Sequence, residues 1–490
     1  MEKLNTQVIK KVSKIDLNTI LQWVNAIILM ATWYSFSQNG PNKYIDLTTI
    51  YLGALLSIQL FAFLKIEKKR RDPFVIVLCF QMVFYYVLRI LTLTIYPFSF
   101  VFDRFAFTPS DLNKAILFIL VANVAIFLGL YLNKVKVSTL PLDNQIKPKR
   151  PFVVFMVLLF VYFMVFSTSF GIGPLSIIIG LLNSLFINIL IVLFMVAVYI
   201  ILFYKKFNLQ YKILLAGGLL FYIVISTLTG SRAAVISVSY LFLFAYLSIF
   251  AAVRIKRIYL ALGLIAIPIL VVFFTVATFL RPRLENRGAV GGETMEVLKE
   301  FDIMEAFEAD NEIILAPIFG RIAFLDFAAE IITNKDEYAE VFNFPYYFKS
   351  IVDNVLTPGF DVFDTSKTST ALTFIYNNQG KPQKSKVADS YQSDEFTIFG
   401  EAYVMFGMWF SILPIFLVAF IFKRVYVRIA DESPFLFYVK RSFVLYVFFT
   451  LLNSFGLDWL LFDIIGIIFT YLIFKNFFKF QVSNNNIQNV

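Results

Sequence analysis

Apolar runs of about twenty residues recur along this chain, and no other feature constrains its fold as strongly. A helix rises about 1.5 Å per residue, so roughly 20 apolar residues cross the hydrocarbon layer of a bilayer. Reading the runs in order predicts about twelve transmembrane helices, over 17–36, 48–64, 74–96, 115–133, 152–170, 183–204, 213–229, 233–253, 258–280, 400–422, 442–457 and 459–474. Composition agrees: 59% of the 490 residues are hydrophobic and 16% charged, with a mean hydropathy of +0.77. Soluble domains run nearer 45–50% apolar and about 25% charged. The expected class is an all-α integral membrane protein.

Charge placement orients the spans. Basic clusters follow every even-numbered span, at Lys65 to Arg71, Lys134 to Arg150, Lys205 with Lys206, Arg254 to Arg257, Lys423 to Arg428, and Lys475 with Lys479. With the N-terminus, the proposed cytoplasmic segments, which also include Lys212, Lys440 and Arg441, carry 27 of the 43 Lys and Arg, whereas the short loops on the other side carry four. The positive-inside rule then places both termini in the cytoplasm. The net charge of +10 reflects topology and anionic lipid, and argues against a nucleic-acid partner. The basic start runs directly into a full-length span, which reads as an uncleaved anchor. With a single cysteine, Cys79, no intramolecular disulfide forms, and the absence of histidine removes imidazole catalysis and His-ligated metal sites.

One segment differs in kind. Residues 281–398, between spans 9 and 10, are expected to form a large acidic outer loop, separating 1–280 (spans 1 to 9) from 399–490 (spans 10 to 12 and a cytoplasmic tail). From Arg281 to Thr397 there are 20 Asp and Glu against 11 Lys and Arg. Stretches such as Glu300 to Ile314 and Ile322 to Ile332 mix apolar and acidic residues at helical spacing, predicting a partly helical cap. Asn378 to Ser390 reads as a flexible loop, and Gly171 to Leu182 as an outer re-entrant or interfacial segment.

Residues able to carry chemistry gather near the outer surface. Thr229-Gly230-Ser231-Arg232 opens the eighth span, with Gly230 breaking the chain, Ser231 as N-cap and Arg232 in the first turn. A cation there opposes the helix dipole unless an anion such as phosphate lies between the amides and the guanidinium; snorkelling to lipid headgroups is the other reading. Arg281, Arg283 and Arg287 follow the ninth span, where they either complement a helix C-terminus or clamp a diphosphate. Arg321 lies deeper in the loop. Arg89 falls inside the third span, where a charge costs about 2.5–3.5 kcal/mol on insertion scales and so points to a polar cavity. Asp463 is its candidate counter-ion, with Asp458 at the mouth of that span. Gly400-Glu401-Ala402-Tyr403 with Gly407 opens the tenth span. The glycines suit close helix approach, and Glu401 suits either the helix dipole or a contact with a sugar hydroxyl. No nucleotide fingerprint appears, and nothing demands a metal or other cofactor.

Taken together, the Gly230-Ser231-Arg232-Ala233 turn, the outer loop entered through Arg281 and Arg283, and the Gly400-Glu401-Ala402-Tyr403 plus Gly407 pattern resemble the bacterial oligosaccharide repeat-unit polymerases, the Wzy-type O-antigen and capsule polymerases. The resemblance implies a plasma-membrane glycosyltransferase without a metal, acting on oligosaccharides linked to undecaprenyl diphosphate. A hydroxyl of one unit attacks the anomeric carbon of the growing chain, and undecaprenyl diphosphate leaves. It implies catalytic roles for Glu401 and Arg232, diphosphate binding by Arg232, Arg281, Arg283 and Arg287, and a substrate cavity with Arg89, Arg321, Tyr403, Asp458 and Asp463. A chain-length regulator and a flippase are the protein partners it suggests. O-antigen ligases share the long loop, yet resemble one another in an outer-loop histidine that this chain lacks. Flippases and other transporters have shorter loops and polar residues along many spans. Glycosyltransferases using polyprenyl-phosphate sugars carry an acidic pair in the first outer loop, where Ser37 to Leu47 offers only Asp46.

Overall fold

A helix in water hides its apolar face; here the faces are reversed. The helix α1, Leu17–Asn39, buries Asn18, Asn25 and Thr32 together with Leu21 and Ile28. Its other side exposes Trp23, Ile27, Met30 and Tyr34, spaced so that they form one stripe. Polar groups that face the protein find partners: the Asn25 amide donates to the Ser57 carbonyl at 3.0 Å. Such a helix is stable where the surrounding solvent is itself apolar.

The computed structural model describes residues 14–70, 72–97, 107–133, 146–149, 151–157, 189–228, 232–250, 254–256, 272–273, 275–276, 322–356, 362–368, 371–372, 375, 397–430, 433–453 and 456–482. It is mostly helical, at 85%. Helix α2 (Leu47–Arg70) follows, and then α3, which runs from Pro73 to Ile95 with a π-helical stretch at Met82–Val87. Asp72 caps α3 by accepting from the Phe74 amide, and Pro73 occupies the first position, where its missing N–H costs nothing. Helix α4, Pro109–Leu132, starts the same way with Pro109; the Asp111 carboxylate accepts from the amide and the hydroxyl of Thr108. Next come α5 (Ile189–Phe203), α6 (Leu209–Leu228) and α7 (Arg232–Ile249). The acidic segment supplies α8 (Phe324–Thr333), α9 (Lys335–Val341) and α10 (Phe344–Ile351). The C-terminal part holds α11 (Ile398–Phe410), α12 (Ile412–Arg428), α13 (Pro434–Asn453) and α14 (Leu457–Phe474). Among the described residues four helices are long and apolar enough to cross a membrane, over Leu47–Lys68, Pro73–Ile95, Pro109–Leu132 and Pro434–Asn453. The bent pair α11–α12 makes a fifth if taken as one span. Most of the expected fifth and ninth spans, the 171–182 segment, Glu300 to Ile314 and Asn378 to Ser390 lie outside the described residues.

Several helix ends differ from the sequence reading: α2 runs on from 64 to Arg70 and α4 begins at Pro109 where 115 was expected, and two further differences change side-chain environments. In place of a straight tenth span over 400–422, α11 and α12 meet at 120°. The corner follows Gly407, at φ 73° and ψ −179°, a region that only glycine enters without strain. Gly407 therefore serves as a hinge, and the close approach expected of it is made elsewhere: a Cβ on Gly129 of α4 would lie 2.6 Å from the Phe416 carbonyl of α12. The second difference is at α13, which begins at Pro434 and so takes Lys440 and Arg441 into a helix expected from 442. Arg441 is fully buried, its guanidinium 4.0 Å from the Phe437 ring centre and 4.8 Å from that of Tyr426, contacts that replace part of its lost hydration.

Two short antiparallel pairings join distant segments. Strand β1 (Lys14–Asp16) pairs with β3 (Arg254–Lys256), with Ile15 opposite Ile255, and β2 (Ile146–Pro148) pairs with β4 (Phe480–Val482), with Lys147 opposite Gln481. Near the Asp72 cap of α3, Lys423 of α12 forms a buried ion pair with the Asp72 carboxylate.

Candidate functional site

Helices α8 and α10 dock on the apolar helices through buried carboxylates. Arg89, one residue past the π-helical stretch of α3, is fully buried. Its Nε donates to Asp326 Oδ1 at 2.8 Å and its Nη2 to Oδ2 at 2.7 Å, a two-pronged pair with both side chains 0% exposed. Nη1 reaches Thr92 Oγ1 at 3.1 Å. The counter-ion found is Asp326 of α8; the side chain of Asp463, the one expected from sequence, lies outside the described residues. The Ile322 to Ile332 stretch does form a helix, and its acidic residues face inward: Asp326 to Arg89, and Glu330 to the Tyr338 hydroxyl. Tyr85, within the π-helical stretch, bonds the Tyr240 hydroxyl at 2.6 Å and sets its ring edge-on to Phe324 of α8. A π-bulge shifts the helix register, as often seen at functional positions.

Helix α10 holds the second part. Asn343 caps it, accepting from the Tyr346 amide, with Pro345 in the first turn. Tyr347 and Ser350, three residues apart, share a face. The Tyr347 hydroxyl donates to Glu401 Oε1 at 2.9 Å, and Ser350 Oγ donates to Asp458 Oδ2 at 2.6 Å. Asp458 also accepts from the Thr368 amide at 3.0 Å and the Thr368 hydroxyl at 2.9 Å. One turn of α10 therefore gathers two carboxylates that lie 57 positions apart in the chain, Glu401 in the first turn of α11 and Asp458 in the first turn of α14. Both are buried, Glu401 at 2% exposure. Asp353, just beyond α10, accepts from the Phe363 and Thr365 amides and fastens the following loop.

The phenols beside these acids stay protonated. Burial, and then the negative charge of Glu401, hold the Tyr347 hydroxyl well above the ordinary phenol range. Burial and the charge of Asp458 do the same for Tyr346, whose hydroxyl donates to the Ser366 carbonyl at 2.7 Å. A neutral phenol is a donor, so Tyr347 serves as a fixed hydrogen-bond donor to a carboxylate.

Of the residues singled out in sequence, Glu401 and Asp458 are both bound by α10, and Arg89 is bound by α8 of the same acidic segment. Tyr403 is half-buried on α11, its ring 5.2 Å from that of Phe118 in an edge-on contact. Arg232 is the first residue of α7, as the helix-start pattern implied; its side chain lies outside the described residues. Asp463 is on α14 with its side chain likewise outside, and Arg281, Arg283, Arg287 and Arg321 lie outside altogether. Sequence reasoning passed over Asp326, Tyr347, Ser350 and Thr368. Only Asp326 carried a local signal, an acid three residues after an apolar turn of amphipathic helix.

No family model matches the chain, and no curated protein or solved structure shows a significant match to it.

Proposed function

We propose that this chain polymerises undecaprenyl-diphosphate-linked oligosaccharide repeat units into a surface polysaccharide, at the outer face of a bacterial plasma membrane. The observation that carries the proposal is the pair of buried carboxylates, Glu401 and Asp458, gathered under α10 where the outer segment meets the apolar helices.

The proposed topology has about twelve spans, both termini in the cytoplasm, and the 281–398 segment outside between spans 9 and 10. Two observations support it. The reversed faces of α1 suit a lipid solvent. The strand pairings and the Lys423–Asp72 pair each join segments that the twelve-span scheme puts on one side, separated by an even number of spans.

In the proposed reaction Glu401 orients or deprotonates the acceptor hydroxyl as it attacks the anomeric carbon of the growing chain. Undecaprenyl diphosphate leaves, its developing charge met by preorganised cations, for which Arg232, Arg281, Arg283 and Arg287 are the candidates. Arginine's planar fork suits phosphate oxygens. Arg89, Arg321, Tyr403, Asp458 and Asp463 are proposed to line the sugar cavity. Because Glu401 is covered by Tyr347, α10 must move aside for an acceptor to enter. A chain-length regulator and a flippase are the proposed protein partners.

The test is a polymerisation assay with purified protein and lipid-linked repeat units, read as a ladder on a gel. Glu401→Gln is expected to slow ladder formation by about 10²–10⁴-fold, the usual contribution of a positioned base. Arg232→Ala is expected to leave single units. An unchanged rate in Glu401→Gln removes the base assignment, and no ladder from folded wild type given a matching substrate removes the polymerase in favour of a ligase or transporter.

A further inference from the structure

Helix α10 repeats, within the acidic segment, the reversed polarity of α1. It turns Tyr346, Tyr347 and Ser350 inward, with their hydroxyls on Ser366, Glu401 and Asp458. On the other side Phe344 is 76% and Phe348 57% exposed. Four residues apart, the two rings share a face. In water that arrangement hydrates two phenylalanines while polar groups are buried; against lipid it is the stable one.

Depth decides which solvent this face meets. Helix α3 is long enough to cross a bilayer, so its Ile95 end marks one membrane surface. Phe399, in the first turn of α11, packs edge-on against Tyr86, which stands about 13 Å short of Ile95 at 1.5 Å per residue. Glu401, which holds Tyr347, belongs to the same turn. The last turn of α13 lies deeper: the Leu452 carbonyl accepts from Gln81 Nε2 at 2.7 Å, and Gln81 is about 20 Å short of Ile95. Asp458, which holds Ser350, follows Leu452 by six positions. Both anchors keep α10 below the level of Ile95, within the thickness of a bilayer.

The charges fit that depth. From Phe344 to Leu356 there are only Lys349 and Asp353. Asp353 is buried on the Phe363 and Thr365 amides. The Lys349 amine lies 5.9 Å from the centre of the Phe363 ring, on a stem long enough to reach a headgroup. The exposed acids Asp336, Glu337 and Glu340 belong to α9. We propose that α10 is an interfacial helix, its Phe344 and Phe348 face in the acyl region of the leaflet at the Ile95 end of α3, with the acids of α9 in water. Interfacial helices sink about 5–10 Å into the boundary between headgroups and acyl chains. A soluble partner has no access to a face at that depth.

The test uses the full wild-type chain in phosphatidylcholine nanodiscs whose acyl chains carry a diazirine. After irradiation, lipid adducts are mapped by peptide mass spectrometry. Adducts are expected on residues 344–349, as on the exposed residues 468–472 of α14, and none on α9. Adducts on α14 without any on Phe344 or Phe348 overturn the proposal, as do adducts spread over α9. This reading needs no variant to fold. A nitroxide then measures the solvent directly, since Cys79 is buried and leaves an introduced cysteine as the one labelled. At Phe348→Cys, relaxation by oxygen, which partitions into lipid, is expected to exceed that by an aqueous nickel chelate; at Glu337→Cys the order is expected to reverse. Nickel access at Phe348→Cys would mark an aqueous face, and access by neither would mark a protein partner; either result overturns the proposal.

Discussion

Replacing Arg89 by methionine takes one half out of an ion pair that has no access to water. Arg89 and Asp326 are both 0% exposed and joined by two hydrogen bonds of 2.8 and 2.7 Å. Removing one partner of such a pair costs about 3–5 kcal/mol, because the other charge is left buried and uncompensated. Replacing both with apolar residues of similar size is close to neutral. The structure therefore makes a non-additive prediction. Arg89→Met and Asp326→Leu each loosen α8 by about 4 kcal/mol, which raises its open population on the order of a thousandfold. The double variant recovers most of that loss. Hydrogen exchange of the amides in Phe324–Thr333, followed by mass spectrometry in lipid nanodiscs, reads the opening directly. Single variants that exchange like wild type, or a double variant that exchanges as fast as either single, would refute the reasoning.

Two further outcomes follow from local geometry. Gly407→Ala places a Cβ at φ 73°, with the Lys335 amine 3.5 Å away, and is expected to lower stability by about 1–3 kcal/mol; an unchanged melting temperature would count against the hinge. Asp46 precedes α2: partial burial works to raise its pKa, but hydrogen bonds from the Thr49 amide, Asn113 and the Thr49 hydroxyl prevail and hold it below the usual 3.8. A depressed carboxylate stabilises the fold above its unfolded pKa, and that stability fades as pH falls through the folded value. The gap in melting temperature between wild type and Asp46→Ala should therefore narrow as pH drops below about 4, and a constant gap would contradict the assignment.

Which parts of this were legible in sequence follows from what hydropathy records. It registers contact with lipid or core, so the helix at Pro73 stands within a residue of expectation, while the one at Pro109 starts ahead of the expected 115, in a polar first turn that hydropathy passes over; proline and capping acids mark both starts. It does not register direction. The apolar stretch runs through α11 and α12 without interruption, so the 120° corner at Gly407 was invisible as a change of composition. Nor does it register tertiary partners. Arg89 announced that some carboxylate was needed, but Asp326 lies 237 residues away on a helix whose position depends on the whole fold. Arg441 misled in the opposite sense, since a basic residue near a span end reads as exposed, whereas aromatic rings from α12 and α13 enclose it. Glu401 was readable as a residue of interest, while its tyrosine donor was not, because nothing in a single aromatic on an acidic segment signals what it touches.

The two strand pairings carry a consequence for biosynthesis. Lys147 faces Gln481, so the backbone of Ile146–Pro148 waits for its partner while almost the whole intervening chain is made. At about 5–20 residues per second that wait lasts on the order of tens of seconds. During it the Ile146–Pro148 edge is open, and any neighbouring chain with a free strand can compete for it. The pairing closes only once residues 480–482 have left the ribosome, so a fusion or truncation reaching into Phe480–Val482 would expose its effect as misassembly during synthesis before any loss in the finished protein.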